Sequence, residues 1–144
     1  NLPTNLHLLV LCYNINILME LRRKPNIQPL FAGGYYHANA QMFESKEGVE
    51  FISGIRVQKA FVSAAGVHCQ LGVTCINNYE IETKRAILRS SLEKILVADS
   101  SKFGRVCAAY CCDMNDIDTI ITNKDLSPEW IDQIRSKGIK LYLV

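Results

Sequence analysis

The sequence lacks an apolar run long enough to span a membrane, and its start has neither the basic segment nor the cleavage site of a signal peptide. Its net charge of +2 is too small to indicate, by itself, binding to nucleic acid or to a membrane surface. We find no internal repeat, low-complexity tract or linker. These absences favour an ordinary globular domain with no membrane partner.

The six cysteines form no Cys-x-x-Cys pair, so their spacing does not indicate a zinc site. Cys12 and Cys107 lie in apolar surroundings and are interpreted as small buried hydrophobic residues. The adjacent Cys111 and Cys112 are interpreted in the same structural way, although a redox or metal role is the alternative. This usage is typical of a reducing cytoplasm rather than of a secreted disulfide scaffold.

What the sequence does contain is typical of a folded domain. Its 144 residues fit one domain, spanning 1–144, with 49% hydrophobic and 21% charged residues. Because the first residue is Asn1 rather than methionine, we expect the chain to be a fragment of a longer protein.

Short apolar runs alternate with amphipathic segments along the whole chain. We predict a long loop over 64–78, and helix 79–94 has Ile81, Leu88 and Leu92 on one face. A Ser127-Pro128 start and Gly138 end define the last helix. This alternation predicts an α/β fold with a doubly wound parallel sheet. The predicted strands are 6–12, 27–31, 59–63, 95–98, 118–122 and 139–144, and the predicted helices are 15–23, 46–55, 79–94 and 128–138.

The most informative turn is DSSKFGR, residues 99–105, which directly follows a buried strand. Ligands of open α/β sheets bind beyond the carboxyl ends of the strands, and a lysine ammonium is suited to holding a phosphate there. Lys102 is therefore a candidate phosphate ligand. From this turn alone, a solvated surface lysine is the simpler interpretation.

Other polar or small residues also follow predicted strands, and they are expected to meet Lys102 at the same edge of the sheet. Small residues let the backbone approach a ligand, and an asparagine can bond a hydroxyl or phosphate oxygen. Together they predict a site for a small anionic polyol. The candidates are Asn14, Gly33, Gly34, Ala65 and Gly66, with His68 as a structural or indirect contact.

Glu80 and Lys84 are four residues apart on the clearest predicted helix. They form either an ordinary i,i+4 ion pair or part of the same cleft, and the sequence does not decide between the two.

No catalytic set is complete in this sequence. The chain has no G-x-S-x-G elbow, P-loop or full G-x-G-x-x-G motif. A sugar-phosphate isomerase needs a base beside the substrate, and residues 63–67 contain no Asp or Glu. We therefore expect binding without turnover, with no catalytic residue, cofactor or metal.

Four segments carry a resemblance to a known family. They are KAFVSAAGVHCQLGVTCINNYEIETKRAIL (59–88), ILVADSSKFGRV (95–106), DIDTIITN (116–123) and LFAGGYYHANAQMF (30–43). The chain resembles, over essentially its whole length, the effector-sensing domain of DeoR-type bacterial transcriptional repressors. That resemblance implies a Rossmann-like sheet with helices on both faces, similar to ribose-5-phosphate isomerase, glucosamine-6-phosphate deaminase and CoA transferases.

The resemblance also implies roles for individual residues. Lys102 would bind the phosphate, and Glu80 and Lys84 would lie at the pocket edge. The residues implied to line the sugar pocket are Gly33, Gly34, Ala65, Gly66 and His68.

The same resemblance implies partners. Members of this family carry an N-terminal winged helix-turn-helix that binds operator DNA, and a homo-oligomer is expected because such operators have spaced half-sites. We expect this chain to lack that module, the first sensor strand and its Asp-x-Gly-Thr-Thr turn, so that the sensing domain is incomplete at its N-terminus. Asn1-Leu2-Pro3 is similar to the residues after the helix that follows that turn.

Residues 10–16, 32–43 and 63–75 resemble one member of the family more narrowly, which implies 2-deoxyribose 5-phosphate as the effector. The alternatives are a sensor for another sugar phosphate and an isomerase-like enzyme on the same fold.

Overall fold

The computed structural model describes residues 5–144, which divide between two compact units, the first ending at Gly54 and the second spanning Ile55–Val144. The predicted similarity at Asn1-Leu2-Pro3 lies outside the described residues.

In the first unit, two parallel strands are joined by a helix and followed by an antiparallel hairpin and a second helix. Buried Cys12, Leu21 and Ile27 form its small core. The hairpin was not predicted, because its three-residue strands are too short to show an alternating pattern. The elements are β1 (Leu8–Cys12), α1 (Ile15–Leu21), β2 (Ile27–Phe31), β3 (Tyr35–His37), β4 (Met42–Glu44) and α2 (Lys46–Ser53).

The second unit contains the larger core and two sheets. Four parallel strands form one sheet in the order β11 (Lys140–Leu143), β10 (Thr119–Thr122), β8 (Ser91–Val97) and β5 (Val57–Val62). The strands β6 (Gly66–His68), β7 (Gly72–Cys75) and β9 (Ala109–Cys112) form an antiparallel sheet. The buried side chains of Val62, Leu96 and Ile120 come from three adjacent strands of the parallel sheet. The elements are β5 (Val57–Val62), β6 (Gly66–His68), β7 (Gly72–Cys75), α3 (Ile81–Arg89), β8 (Ser91–Val97), β9 (Ala109–Cys112), β10 (Thr119–Thr122), α4 (Pro128–Ser136) and β11 (Lys140–Leu143).

The predicted α/β fold with a parallel sheet is confirmed. The helix expected to end at Gly138 ends at Ser136, and Gly138 follows with φ +73°, the left-handed conformation that favours glycine. No helix within residues 5–144 is long and apolar enough to cross a membrane.

Two predictions in the second unit are wrong. Residues 64–78 are not a loop, because they contain β6 and β7. The predicted helix 79–94 ends at Arg89, and β8 begins at Ser91. Leu92 therefore lies on a strand and is 83% exposed. It continues the i,i+4 spacing of Leu88 only by coincidence, because the helix has already ended at Arg89.

Candidate functional site

The candidate site lies at the carboxyl edge of the parallel sheet in the second unit. Since β5, β8 and β10 are parallel, the turns that follow them meet at one edge. The Ser100 N–H donates to Asn123 Oδ1 at 2.6 Å, which joins the turns after β8 and β10. The Gly104 N–H donates to the Val67 carbonyl at 2.8 Å, which joins the 99–105 turn to β6. Within this unit, the structure therefore brings the 99–105 turn next to Asn123 and to β6, as the sequence predicted for turns that follow parallel strands.

Lys102 ends a single 3-10 turn, Ser100–Lys102, directly after β8. Its ammonium lies 3.6 Å from Asp99 Oδ2, and its side chain is 31% exposed. Hydrogen bonding from the Ser101 hydroxyl, together with the Lys102 ammonium, holds the pKa of Asp99 below its usual value. Lys102 is thus a half-buried cation with a loosely paired carboxylate beside it.

The backbone N–H groups of this turn are not free to bind an anion, although the sequence suggested that they would be. The N–H groups of residues 100–105 all donate to acceptors within the protein. Those of Ser101 and Lys102, for example, donate to Asp99 Oδ1 at 3.0 Å and to the Asp99 carbonyl at 3.1 Å. An anion at this turn would therefore interact chiefly with the Lys102 side chain.

Ala65 and Gly66 lie where β5 turns into β6, and both are engaged by the protein. The Ala65 N–H donates to the Thr74 carbonyl at 2.9 Å. A Cβ on Gly66 would lie 2.6 Å from the Arg105 carbonyl oxygen and 2.7 Å from Thr74 Oγ1. Close chain packing therefore accounts for a glycine at position 66 without any ligand.

His68 is oriented by its own hairpin. Its Nδ1 accepts from the N–H groups of Gln70 at 3.2 Å and Leu71 at 3.3 Å. Because Nδ1 accepts, the proton of the neutral ring is on Nε2. This arrangement is consistent with the structural role considered for His68, and leaves Nε2–H as a donor.

Glu80 and Lys84 form an ion pair of 2.9 Å at the start of α3, with side chains 15% and 4% exposed. Lys84 Nζ also donates to the Ser63 carbonyl at 3.0 Å and to Cys75 Sγ at 3.2 Å. Burial alone would raise the pKa of Glu80, but Lys84 and Asn77 outweigh it and the pKa is lowered. The pair therefore forms the i,i+4 ion pair, one of the two alternatives that the sequence left open, and it also contacts the turn that follows β5.

The cysteines are free thiols. A hydrogen bond from the Cys75 thiol to Cys111, together with burial, raises the pKa of Cys75. A hydrogen bond involving Cys112, with burial, raises the pKa of Cys111 to about 11. Such thiols are protonated at neutral pH and unreactive. Cys12 is buried as predicted, whereas Cys107 is only half-buried. Within residues 5–144, no three His, Cys, Asp or Glu side chains are grouped as a metal site.

Gly33 and Gly34 line an open cleft of about 520 Å³ in the first unit. A Cβ on Gly33 would meet nothing within 4 Å, so this glycine faces open space. The lining contains no lysine or arginine, which makes the cleft a poor phosphate site. It is lined by Phe31, Ala32, Gly33, Gly34, Tyr35, Ser45, Glu47, Gly48 and Phe51.

Asn14 is occupied as the N-cap of α1. Its Oδ1 accepts from the N–H groups of Asn16 at 2.9 Å and Ile17 at 3.3 Å, and its Nδ2 donates to the Ala40 carbonyl at 3.2 Å. These bonds explain an asparagine at this position without a ligand.

Sequence reasoning missed three residues that shape the candidate site. Asn123 holds the 99–105 turn, and its place directly after an apolar strand was a usable signal. Thr74 bonds both the Gly66 carbonyl and the Cys107 N–H, and Cys75 contacts Lys84, but both residues lie in the segment predicted to be a loop.

The Glu80 pair predicts an acid-sensitive contribution to stability. A carboxyl whose folded pKa lies below its unfolded value stabilises the protein above the unfolded pKa, here 4.5, and loses that contribution as pH falls through the folded pKa. We expect the free energy of unfolding of the unmodified chain to fall below about pH 4.5 more steeply than that of Glu80→Gln. Urea unfolding at a series of pH values measures this, and parallel curves would contradict it.

A family model described as the DeoR C terminal sensor domain matches residues 1–124. The chain is 31% identical over 130 residues to the deoxyribose operon repressor of Escherichia coli strain K12, an alignment that covers 90% of this chain and 52% of that protein. It is 26% identical to the HTH-type transcriptional regulator GolR of Listeria innocua, over 92% of this chain and 52% of that protein. It is 25% identical to the HTH-type transcriptional regulator IolR of Bacillus subtilis, over 93% and 53%.

The chain spans about half the length of these relatives. The match to the family model covers most of the chain, including the cleft at Gly33 and Gly34 and the 99–105 turn. The family resemblance found in the sequence is therefore confirmed. The chain belongs to the DeoR C-terminal sensor domain family.

Proposed function

We propose that this chain is the effector-binding part of a transcriptional repressor and that it binds a phosphorylated sugar, best matched by 2-deoxyribose 5-phosphate. The observation that carries the proposal is the half-buried Lys102 ammonium, held at the carboxyl edge of a parallel sheet and loosely paired with the Asp99 carboxylate. Similarity to the deoxyribose operon repressor supports this choice of sugar.

In this proposal, Lys102 supplies the charge for the phosphate. A dianionic phosphate outcompetes the single charge of Asp99, 3.6 Å from the ammonium, and forms charge-assisted hydrogen bonds in its place. The Nε2–H of His68 is the proposed donor to a sugar hydroxyl, with Ala65 and Gly66 forming the adjacent backbone. Asn14, Gly33 and Gly34, which belong to the first unit, stay predictions from the sequence.

The regulatory step follows from differential binding. The effector binds better to the form of the repressor that holds DNA poorly, so its binding lowers DNA affinity. Operator binding belongs, in this proposal, to a helix-turn-helix outside these 144 residues, in an oligomeric cytoplasmic protein.

Calorimetry on this chain tests the ligand. We expect 2-deoxyribose 5-phosphate to bind more tightly than ribose 5-phosphate or fructose 1-phosphate, with no heat from unphosphorylated 2-deoxyribose. Equal binding of the three phosphates would reject the assignment of the sugar, and no binding of any would reject the sensor proposal for this chain.

The alternative is an isomerase-like enzyme, and one observation favours it. The Glu80 carboxylate lies near the turn after β5, since the Lys84 ammonium bonds both Glu80 Oε2 and the Ser63 carbonyl. However, the Glu80 carboxylate is already bound by Lys84 and Asn77, so it is poorly placed to accept a substrate proton. A coupled assay with ribose 5-phosphate distinguishes the two, since a sensor gives no turnover.

A further inference from the structure

Lys84 is the most completely enclosed charged side chain at the candidate site. Only 4% of its side chain is exposed. Its ammonium contacts three acceptors on three different elements: the Ser63 carbonyl after β5 at 3.0 Å, Cys75 Sγ at the end of β7 at 3.2 Å, and Glu80 Oε2 before α3 at 2.9 Å. Because an ammonium group has three N–H donors, these contacts leave little capacity for a ligand.

Stability alone does not explain a charge at this position. Removing an ammonium group from water costs several kcal/mol, and buried ion pairs are often replaceable by apolar residues at no loss of stability. What an apolar side chain does not provide is a donor to the Ser63 carbonyl. The geometry therefore points to a role in fixing that carbonyl.

The Ser63 carbonyl begins the turn that contains two of the candidate site residues. Beyond it, the Ala65 N–H donates to the Thr74 carbonyl, and Gly66 packs against the Arg105 carbonyl. Lys84 thus holds the start of the turn, while β7 and the 99–105 turn hold its end. A phosphate that bound Lys84 directly would have to displace the Glu80 carboxylate inside the protein.

We infer that Lys84 is a positioning residue, which sets the Ser63–Gly66 turn for sugar recognition without contacting the effector. This inference rests on the proposed function, since it specifies how the same site is held in shape. It replaces the expectation of a direct contact for Glu80 and Lys84 with an indirect role through the Ser63 carbonyl.

The test compares the unmodified chain with Lys84→Met and with the double variant Glu80→Gln/Lys84→Met. Because the single variant leaves the Glu80 carboxylate without its lysine and could fail to fold, the double variant removes that charge as well. Arg89→Met is the matched control, because Arg89 is an exposed cation on the same helix. Amide hydrogen exchange is measured without ligand at Ala65 and, for the sheet, at Leu96. Calorimetry measures affinity for 2-deoxyribose 5-phosphate, and phosphorus NMR measures affinity for inorganic phosphate.

We expect exchange at Ala65 to rise about tenfold in the double variant while exchange at Leu96 is unchanged, as local loosening requires. Affinity for the sugar phosphate should fall about tenfold, while affinity for inorganic phosphate at Lys102 is retained. Arg89→Met should match the unmodified chain in every measurement.

Unchanged exchange at Ala65, or equal increases at Ala65 and Leu96, would overturn the inference. So would equal losses of affinity for inorganic phosphate and sugar phosphate, since Lys84 would then contribute to phosphate binding itself. If the unmodified chain binds no sugar phosphate, the proposed function fails, and the exchange data still decide whether Lys84 holds the turn.

Discussion

Lys102→Gln is expected to weaken binding of 2-deoxyribose 5-phosphate by roughly 10- to 100-fold, because a hydrogen bond to a charged group contributes about 1.5–3 kcal/mol. The Lys102 side chain is 31% exposed, so the variant removes a charge without leaving a cavity in the core. Thermal stability should therefore change little. Calorimetry measures the affinity, and a melting curve confirms that the variant is folded.

Two further variants make this prediction specific. Lys137→Gln removes an exposed cation between α4 and β11, near the amino edge of the sheet. This variant should leave the affinity for 2-deoxyribose 5-phosphate unchanged. Asp99→Asn removes the carboxylate that competes for the ammonium but keeps an oxygen to cap the turn, and should raise affinity a few-fold. Equal losses in Lys102→Gln and Lys137→Gln would mean that general surface charge attracts the effector.

Gly66→Ala is expected to lower the free energy of unfolding by about 3 kcal/mol and the melting temperature by roughly 10 °C. The new Cβ would lie 2.6 Å from the Arg105 carbonyl oxygen, which is backbone and has no rotamer with which to move away. The 99–105 turn would have to shift from β6, and with it Lys102. Effector affinity should fall along with stability. Thermal denaturation followed by circular dichroism measures the change in melting temperature.

Gly33→Ala is the matched control for this substitution. A Cβ there meets nothing within 4 Å, and its φ lies outside the left-handed range, so stability should stay within about 0.5 kcal/mol of the unmodified chain. A similar loss of stability in both variants would show that the packing around Gly66 is not the cause.

Much of the fold was predictable from local patterns. Apolar runs such as Ile95-Leu96-Val97 match a buried strand, and the Ser127-Pro128 and Gly138 signals bracket α4 correctly. Because parallel strands end at a common edge, the position of Lys102 followed from its place directly after β8. Helix α3 was predicted too long because Leu92 happens to continue its spacing.

The sequence of residues 106–115 is compatible with a short strand and then a turn, and β9 lies there. The strands β6 and β7, and the pairing of β7 with β9, were not predictable, because that pairing joins residues 72–75 to residues 109–112, which are distant along the chain. The contacts of Lys84 with Ser63 and of Gly66 with Arg105 were equally hidden, since each joins residues distant along the chain. The Glu80–Lys84 ion pair is local and was one of the two alternatives that the spacing allowed.

By itself, the sequence determined the alternation of strands and helices, the parallel sheet and the lysine at its edge, because these depend on periodicity and on the order of elements. Only the tertiary structure decided which carbonyl Lys84 holds, which backbone excludes a side chain at Gly66, and which distant acceptors bind the Ser100 and Gly104 N–H groups of the 99–105 turn. Those properties arise from contacts between distant segments, whose geometry exists only once the chain has folded.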